Sequence, residues 1–222
     1  MTPRQTLWTA DAAAAATKGR VTAPFTASGL SIDSRSLDEG DLFIALDGPN
    51  FDGHEFVADA FDRGASAAIV NRQPDNIGAD APLIVVADTL AALQGLGSAG
   101  RDRTRARIAA VTGSVGKTGT KEALRLVLSN QGRTSANLGS LNNHWGLPLS
   151  LARMAADTQF GVFEMGMNHA GEITPLSAMA RPHVALITTV EPVHSAYFTS
   201  VDDIADAKAE IFAGMEAGVA VL

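Results

Sequence analysis

The feature that most constrains this chain is Val111-Thr112-Gly113-Ser114-Val115-Gly116-Lys117-Thr118-Gly119-Thr120. It follows an apolar run, Ile108-Ala109-Ala110-Val111, and leads into Lys121-Glu122-Ala123-Leu124-Arg125-Leu126-Val127-Leu128, which has a helical pattern. Strand, glycine loop and helix in that fixed order make a phosphate cradle. Glycines let backbone N–H groups turn inward, and a helix N-terminus adds partial positive charge. Lys117 has the reach for terminal phosphates, and the Thr118 hydroxyl suits a magnesium ion. The general pattern for such loops, G-x-x-x-x-G-K-[ST], is incomplete here, because its first glycine would fall at Val111.

Composition narrows the partners. Hydrophobic residues make up 46% of the 222 and charged residues 18%, so the chain has the means to pack a core. The formal net charge of -7 leaves no basic face for a nucleic-acid backbone. An anionic ligand must then be held by a local site. Cysteine is absent, which removes disulfides, thiolate metal sites and cysteine nucleophiles and fits a reducing cytosol. The start lacks an apolar signal region. The alanine run Ala12–Ala16 is too short and too weakly apolar to span a membrane. The expectation is a cytoplasmic monomer without membrane insertion.

Strand and helix patterns alternate. In the first half, Leu30–Arg35 alternates as a half-buried strand does, and Leu42–Leu46 reads as a buried strand. His54–Arg63 reads as a helix with Phe56, Val57, Ala60 and Phe61 on one side. Ala67–Val70 and Leu83–Val86 read as strands, and Asp88–Ala99 as a helix carrying Leu90, Leu93 and Leu96. Gly100–Arg107 holds four arginines and little apolar content. It is the best boundary, and it divides the chain into domains at 1–103 and 104–222. In the second half, Phe160–Phe163 reads as a strand leading into Glu164, Gly171–Ala180 as a helix, Val184–Thr189 as a strand, and Val201–Met215 as a helix. Gly218–Leu222 reads as a last strand. The fold class expected is α/β: a small N-terminal α/β domain, then a P-loop domain with a parallel sheet covered on both faces. Because the second domain would stop at a strand with no helix to cover it, we expect a piece of a longer protein.

Ligands of open parallel sheets gather at the carboxyl ends of strands. Three positions fall there: the glycine loop, Glu164, and Thr189-Val190-Glu191-Pro192-Val193-His194. A carboxylate and a histidine beside a phosphate cradle make a candidate magnesium site. His194 also reads as a surface-loop histidine, and Glu164 as an acid favoured at a helix N-terminus. Lys208, within Ala205-Asp206-Ala207-Lys208-Ala209-Glu210-Ile211, reads from its neighbours as a solvated lysine paired with acids. Asn137–Pro148 is rich in asparagine and glycine, which suits either hydrogen bonding to a polar ligand or ordinary turn chemistry.

Several of these segments, in order, resemble the Mur ligases. Thr112–Thr118 is similar to their ATP loop, which also lacks the first glycine. Phe163-Glu164-Met165-Gly166-Met167-Asn168, followed by Gly171-Glu172-Ile173, is similar to their central acidic motif. His194 and Ala207–Ile211 fall where the family has a later histidine and lysine. Ile32-Asp33-Ser34-Arg35, Asp41–Leu46 and Asp52-Gly53-His54 resemble the UDP-sugar-binding domain of two of its members. Leu141-Asn142-Asn143-His144-Trp145-Gly146-Leu147-Pro148 resembles the member that adds D-alanyl-D-alanine, and the threonine-threonine-proline pattern of its relative is absent.

The resemblance implies an ATP-dependent, peptide-bond-forming ligase of peptidoglycan synthesis. Its substrates would be UDP-N-acetylmuramoyl-tripeptide and D-alanyl-D-alanine, joined through an acyl phosphate. Lys117 and the loop Gly113, Ser114, Val115, Gly116, Lys117, Thr118 and Gly119 would hold ATP. Thr118 and Glu164 would hold Mg²⁺ and His194 a second ion. Lys208, carbamylated by CO₂, would become a metal-binding anion; Lys117, Lys208 and His194 are the catalytic candidates. Ser34 and Arg35 would contact the UDP part, and Asn142, Asn143 and His144 would border the muramoyl-peptide path. The family's further domain and adenine contacts are missing from these residues, so the chain alone is expected to have little ligase activity. Two rivals remain: another Mur-type or folylpolyglutamate-type ligase, and a non-catalytic nucleotide-sugar-binding module with a vestigial loop.

Overall fold

The computed structural model describes residues 5–48, 51–75, 77–139, 141–192 and 197–216. The chain divides into two compact units, Met1–Ala99 and Gly100–Leu222. The division falls near the end of a helix, Thr89–Asp102, whose regular pattern runs on into the arginine-rich segment.

The first unit runs β1 (Trp8–Thr9), α1 (Ala10–Thr17), β2 (Arg20–Val21), β3 (Thr26–Ala27), β4 (Gly29–Ser31), β5 (Asp41–Ile44), β6 (Asp47–Gly48), β7 (Phe51–Asp52), α2 (Val57–Asp62), β8 (Ala67–Val70), β9 (Leu83–Val85) and α3 (Thr89–Asp102). Its five-stranded sheet has the order β2-β9-β8-β5-β4. β4, β5, β8 and β9 pair in parallel, and β2 closes one edge antiparallel to β9. Every residue of β5 and β8 is buried, as expected of central parallel strands covered on both faces. Phe43, Val57, Ala60, Ala68, Val70 and Leu83 form a core. The alanine run lies inside α1, which Thr9 caps by accepting the Ala12 N–H.

Two expectations in this unit change. The strand read over Leu30–Arg35 ends at Ser31, because Asp33 Oδ1 accepts the Arg35 N–H at 3.0 Å and turns the backbone into a 3₁₀ turn, Ser34–Ser36. The helix read from His54 starts as a 3₁₀ turn, Gly53–Phe56, capped by Asp52, before α2. That rotation leaves Phe56 exposed instead of on the buried side with Val57 and Ala60.

The second unit runs β10 (Arg107–Thr112), α4 (Lys117–Ser129), β11 (Thr134–Ala136), α5 (Gly146–Ala152), β12 (Phe160–Glu164), α6 (Ile173–Ala180), β13 (Val184–Ile187) and α7 (Val201–Ala209). The four strands are parallel, in the order β11-β12-β10-β13. Side chains alternate across the sheet. Ile108, Ala110, Phe163 and Ala185 point into a core completed by Leu147 and Leu151 of α5, Ile173 and Leu176 of α6, and Ile204 and Ala207 of α7. Glu164, one residue past Phe163, points the other way and meets α4 through Thr118. Helices therefore cover both faces.

β11 and α5 have no counterpart in the sequence expectations. β11 is three small residues, two of them polar, without an apolar run. All seven residues of α5 are buried, so it shows no amphipathic stripe, and Pro148 sits in its first turn, where a missing N–H costs nothing. The helix read over Val201–Met215 is α7 plus a 3₁₀ turn, Glu210–Gly214. The strand read over Gly218–Leu222 lies outside the described residues.

Candidate nucleotide and metal site

The glycine loop connects the end of β10 to the start of α4. Its glycines are required by geometry. Gly113 has φ +147° and a side-chain carbon there would sit 2.0 Å from Thr188 Oγ1. Gly116, φ +86°, is the residue before α4 and lies in the left-handed region. The first part of the loop is tied to the segment after β13. Ser114 N–H donates to Thr189 O at 2.9 Å, Val115 N–H to Thr189 Oγ1 at 3.2 Å, and Thr188 N–H to Thr112 O at 2.9 Å. The amides of Ser114 and Val115 are thus engaged within the protein. The amides pointing off a helix end begin at Gly116, since the first turn of α4 has no side-chain cap. Lys117 Nζ donates to Gly113 O at 2.8 Å and Ser114 O at 3.4 Å, curling over the loop it belongs to.

The next residue along α4, Thr118, donates through its Oγ1 hydroxyl to Glu164 Oε2 at 2.8 Å. The other oxygen, Glu164 Oε1, accepts from Asn142 Nδ2 at 2.7 Å. Glu164 is 1% exposed. Its main chain is gripped by Asn137, whose Oδ1 accepts the Glu164 N–H at 3.0 Å and whose Nδ2 donates to the Glu164 carbonyl at 3.1 Å. Hydroxyl, carboxylate and amide oxygens beside a lysine and a helix N-terminus are a hard-oxygen set that fits magnesium next to phosphate. The structure brings Thr118 and Glu164, both expected to hold Mg²⁺, within one hydrogen bond of each other; the clasp by Asn137 was not anticipated. Asn137 stood in a stretch marked only as rich in hydrogen-bonding groups.

Lys208, on α7, is 2% exposed and not the solvated lysine that its acidic neighbours suggest. No acid among the described residues pairs with its ammonium. Burial lowers its pKa to about 8, and the positive charge of Lys117 adds to the effect. The two lysines therefore face one region from α4 and α7. His194 lies outside the described residues.

The remaining candidates separate. Asn142 faces Glu164, whereas Asn143 Oδ1 accepts the N–H groups of Trp145 and Gly146 at 3.2 and 3.0 Å and so caps the entry to α5. His144 is exposed, with its ring edge-on to Trp145. In the first unit, Ser34 is buried and Arg35 is exposed, its guanidinium paired with Asp33. Asp47, Asp52 and His54 converge closely enough to suggest a metal cluster. His54 Nε2 accepts the Asn71 N–H at 3.1 Å, which puts the proton on Nδ1, where it is donated to Asp52 at 2.8 Å. That buried histidine is a clasp satisfied from both sides. Among the described residues no helix is long and apolar enough to cross a membrane.

Comparison with known proteins covers both units. The Mur ligase middle domain matches residues 111–222, and the Mur ligase family catalytic domain matches residues 26–101. The UDP-N-acetylmuramoyl-tripeptide--D-alanyl-D-alanine ligase of Rickettsia prowazekii is 43% identical over 183 residues, covering 82% of this chain and 40% of that protein. The protein of the same name from Escherichia coli is 39% identical over 201 residues, covering 90% of this chain and 44% of its own length. A crystal structure of MurF from Acinetobacter baumannii superposes with a TM-score of 0.86 at 37% identity, over 99% of this chain and 49% of that one. MurF ligase from Thermotoga maritima, solved in complex with ADP, does so with a TM-score of 0.73 at 30% identity, over 87% of this chain and 44% of that one. The chain thus spans less than half the length of the relatives it matches. With a glycine loop lacking its first glycine, an acidic strand end facing it and a match that runs to residue 222, the chain belongs to the Mur ligase family.

Proposed function

We propose that this chain carries the substrate-binding unit and part of the ATP-binding unit of a ligase that joins D-alanyl-D-alanine to UDP-N-acetylmuramoyl-tripeptide. The observation that carries the reading is the convergence of Lys117, Thr118 and Glu164 at the carboxyl end of the second sheet, with buried Lys208 facing Lys117. The relatives' names supply the substrates, and the ADP complex of the Thermotoga maritima protein supports a nucleotide at this loop.

ATP supplies the phosphoryl group that turns the tripeptide carboxylate into an acyl phosphate; the dipeptide amine then attacks its carbonyl carbon, forming the C–N bond as phosphate leaves. Two anions must meet for this, so the protein's main task is charge neutralisation. Lys117 exchanges its contacts to Gly113 O and Ser114 O for phosphate oxygens. Amides from Gly116 to Gly119 at the start of α4 take the rest, because those of Ser114 and Val115 are committed to Thr189. Thr118 and Glu164 hold Mg²⁺, with Asn142 orienting the carboxylate; His194 is assigned a second ion by family resemblance. Lys208 is the site of a carbamate. Its neutral amine attacks CO₂, forms an N–C bond and loses a proton, converting a cation into a carboxylate-like anion. The pKa of about 8 makes that neutral amine available near physiological pH. Residues 1–103 bind the UDP-muramoyl part, with Ser34 and Arg35 at the UDP end, and Asn142, Asn143 and His144 lie along the path of the peptide.

The test supplies ATP, Mg²⁺, UDP-N-acetylmuramoyl-tripeptide and D-alanyl-D-alanine to the protein at the full length of its relatives and measures phosphate release. Release that depends on the dipeptide, and is abolished by Lys117→Ala, is the expected result. Release indifferent to the dipeptide would sink the proposal.

A further inference from the structure

Lys121 is the one residue of α4 whose side chain is completely buried, and it is a cation. It stands one turn after Lys117 and in line with Leu124 and Leu128, on the stripe by which α4 meets the sheet. An ammonium has three N–H donors and no acceptor. All three find oxygens: Asn137 O at 2.9 Å, Gly139 O at 3.2 Å and Glu122 Oε1 at 2.8 Å. Two of these are main-chain carbonyls of the segment between β11 and α5, a segment that otherwise has little apolar anchorage, since Leu138 is exposed. The same segment holds Glu164 from two sides. Asn137 clasps its backbone N–H and C=O, and Asn142 fixes its carboxylate, while Asn142 O accepts the Gly166 N–H at 2.9 Å.

We propose that Lys121 is a positioning residue for the metal-binding carboxylate: it pins Asn137 and Gly139 to α4, and Asn137 with Asn142 in turn sets where Glu164 presents its oxygens to Thr118. The inference rests on the reading above that Thr118 and Glu164 hold Mg²⁺. A buried lysine is an expensive way to fasten a loop, because removing it from water is costly unless every proton is bonded. Its use here has a geometric consequence. Lys117, Thr118 and Lys121 lie on one helix within four residues, so phosphate, metal and the loop behind the metal ligand share a single rigid reference. A loop fastened to the sheet alone would leave Glu164 free to shift relative to the phosphate cradle.

The experiment measures ADP binding by calorimetry at increasing Mg²⁺, and in EDTA, for the wild-type protein and for Lys121→Met, Asn137→Ala and Glu164→Gln. Displacing support behind a metal ligand weakens metal affinity by roughly ten- to a hundredfold. Lys121→Met and Asn137→Ala are each expected to raise the half-saturating Mg²⁺ concentration by about tenfold or more, with metal-free ADP affinity within about twofold of wild type. The double variant should add little to either single change, because both break one chain of contacts. If Lys121→Met fails to fold, Asn137→Ala with Lys121→Arg, which keeps the charge but not the three-oxygen fit, carries the comparison. Should Glu164→Gln leave the Mg²⁺ dependence intact, the metal reading itself is wrong. Should Glu164→Gln abolish it while the Lys121 and Asn137 variants leave it unmoved, or weaken metal-free binding equally, the positioning role is overturned.

Discussion

Single residues at this site are constrained by backbone geometry and by desolvation. Gly113 combines a φ of +147° with a 2.0 Å approach to Thr188 Oγ1, whereas Gly116 has only the strained φ of +86°, its nearest neighbour for an added carbon being 3.7 Å away. Gly113→Ala should therefore destabilise more than Gly116→Ala: roughly 3 kcal/mol against about 1 kcal/mol, read from urea unfolding. Lys208 makes a pH prediction. Its pKa is about 8 in the fold against an ordinary 10.5, so the folded state disfavours the charged form. The unfolded chain then binds the proton more tightly between those values, and stability rises with pH from about 8 to about 10.5. Lys208→Met should flatten that rise in unfolding midpoints measured across the range. None of this was legible in the sequence around Lys208. The sequence sets it between Asp206 and Glu210, two residues away on either side, and only the packing of α7 reveals that its side chain is buried instead of solvated beside them.

Secondary-structure elements are held in register by caps that the sequence announces only in part. Ser200 and Asp203 form a reciprocal capping box at the start of α7, the helix that carries Lys208. Ser200→Ala is expected to cost about 1 kcal/mol, measured by thermal or urea unfolding. The cap on α6 comes from further away. The Glu210 carboxylate accepts N–H groups from Gly171, Ile173 and Thr174, and the Thr174 hydroxyl. Glu210→Ala should cost about 1–2 kcal/mol, since a charged acceptor for several helix-end donors is worth more than a neutral one, though these donors are mostly exposed. Glu210→Gln should lose less. A serine three residues before an acid is a local signal, but Glu210 stands 36 residues after Thr174, and nothing in either segment points to the other. The same reason hid α5. A helix buried all round has no polar face to give it a period, whereas α3 and α4 were readable from their leucines. Asn143 had two readings, ligand or turn; its Oδ1 accepts the N–H groups of Trp145 and Gly146, which is turn chemistry at the entry to α5, and this does not bear on ligand contact.

At the scale of the whole chain, two compact units are built on separate sheets. If the first holds the nucleotide-sugar and the second the nucleotide triphosphate, ligands should protect them separately. Hydrogen exchange read by mass spectrometry is expected to slow around Ser31–Ser36 with UDP, and around Gly113–Thr120 and Glu164 with ATP and Mg²⁺. Protection of both regions by either ligand alone would contradict that division. Saturation at about a hundred times Kd should stabilise the unit concerned by about 2.7 kcal/mol. A net charge of -7 makes these sites local: cations are gathered at Lys117 and Lys208 within an acidic molecule.

By itself the sequence determined the α/β class, the strand–loop–helix unit around Lys117 and the candidacy of Glu164, because period, glycine placement and strand-end position are properties of short windows. Only the tertiary structure decided which groups meet. Thr118 and Glu164 are 46 residues apart and share a hydrogen bond; Asn137 and Lys121 reach Glu164 through a loop with no pattern of its own; Lys208 loses its water to a core assembled from three helices and a sheet. Burial and long-range hydrogen bonds depend on how distant segments pack, and no local window of residues carries that information.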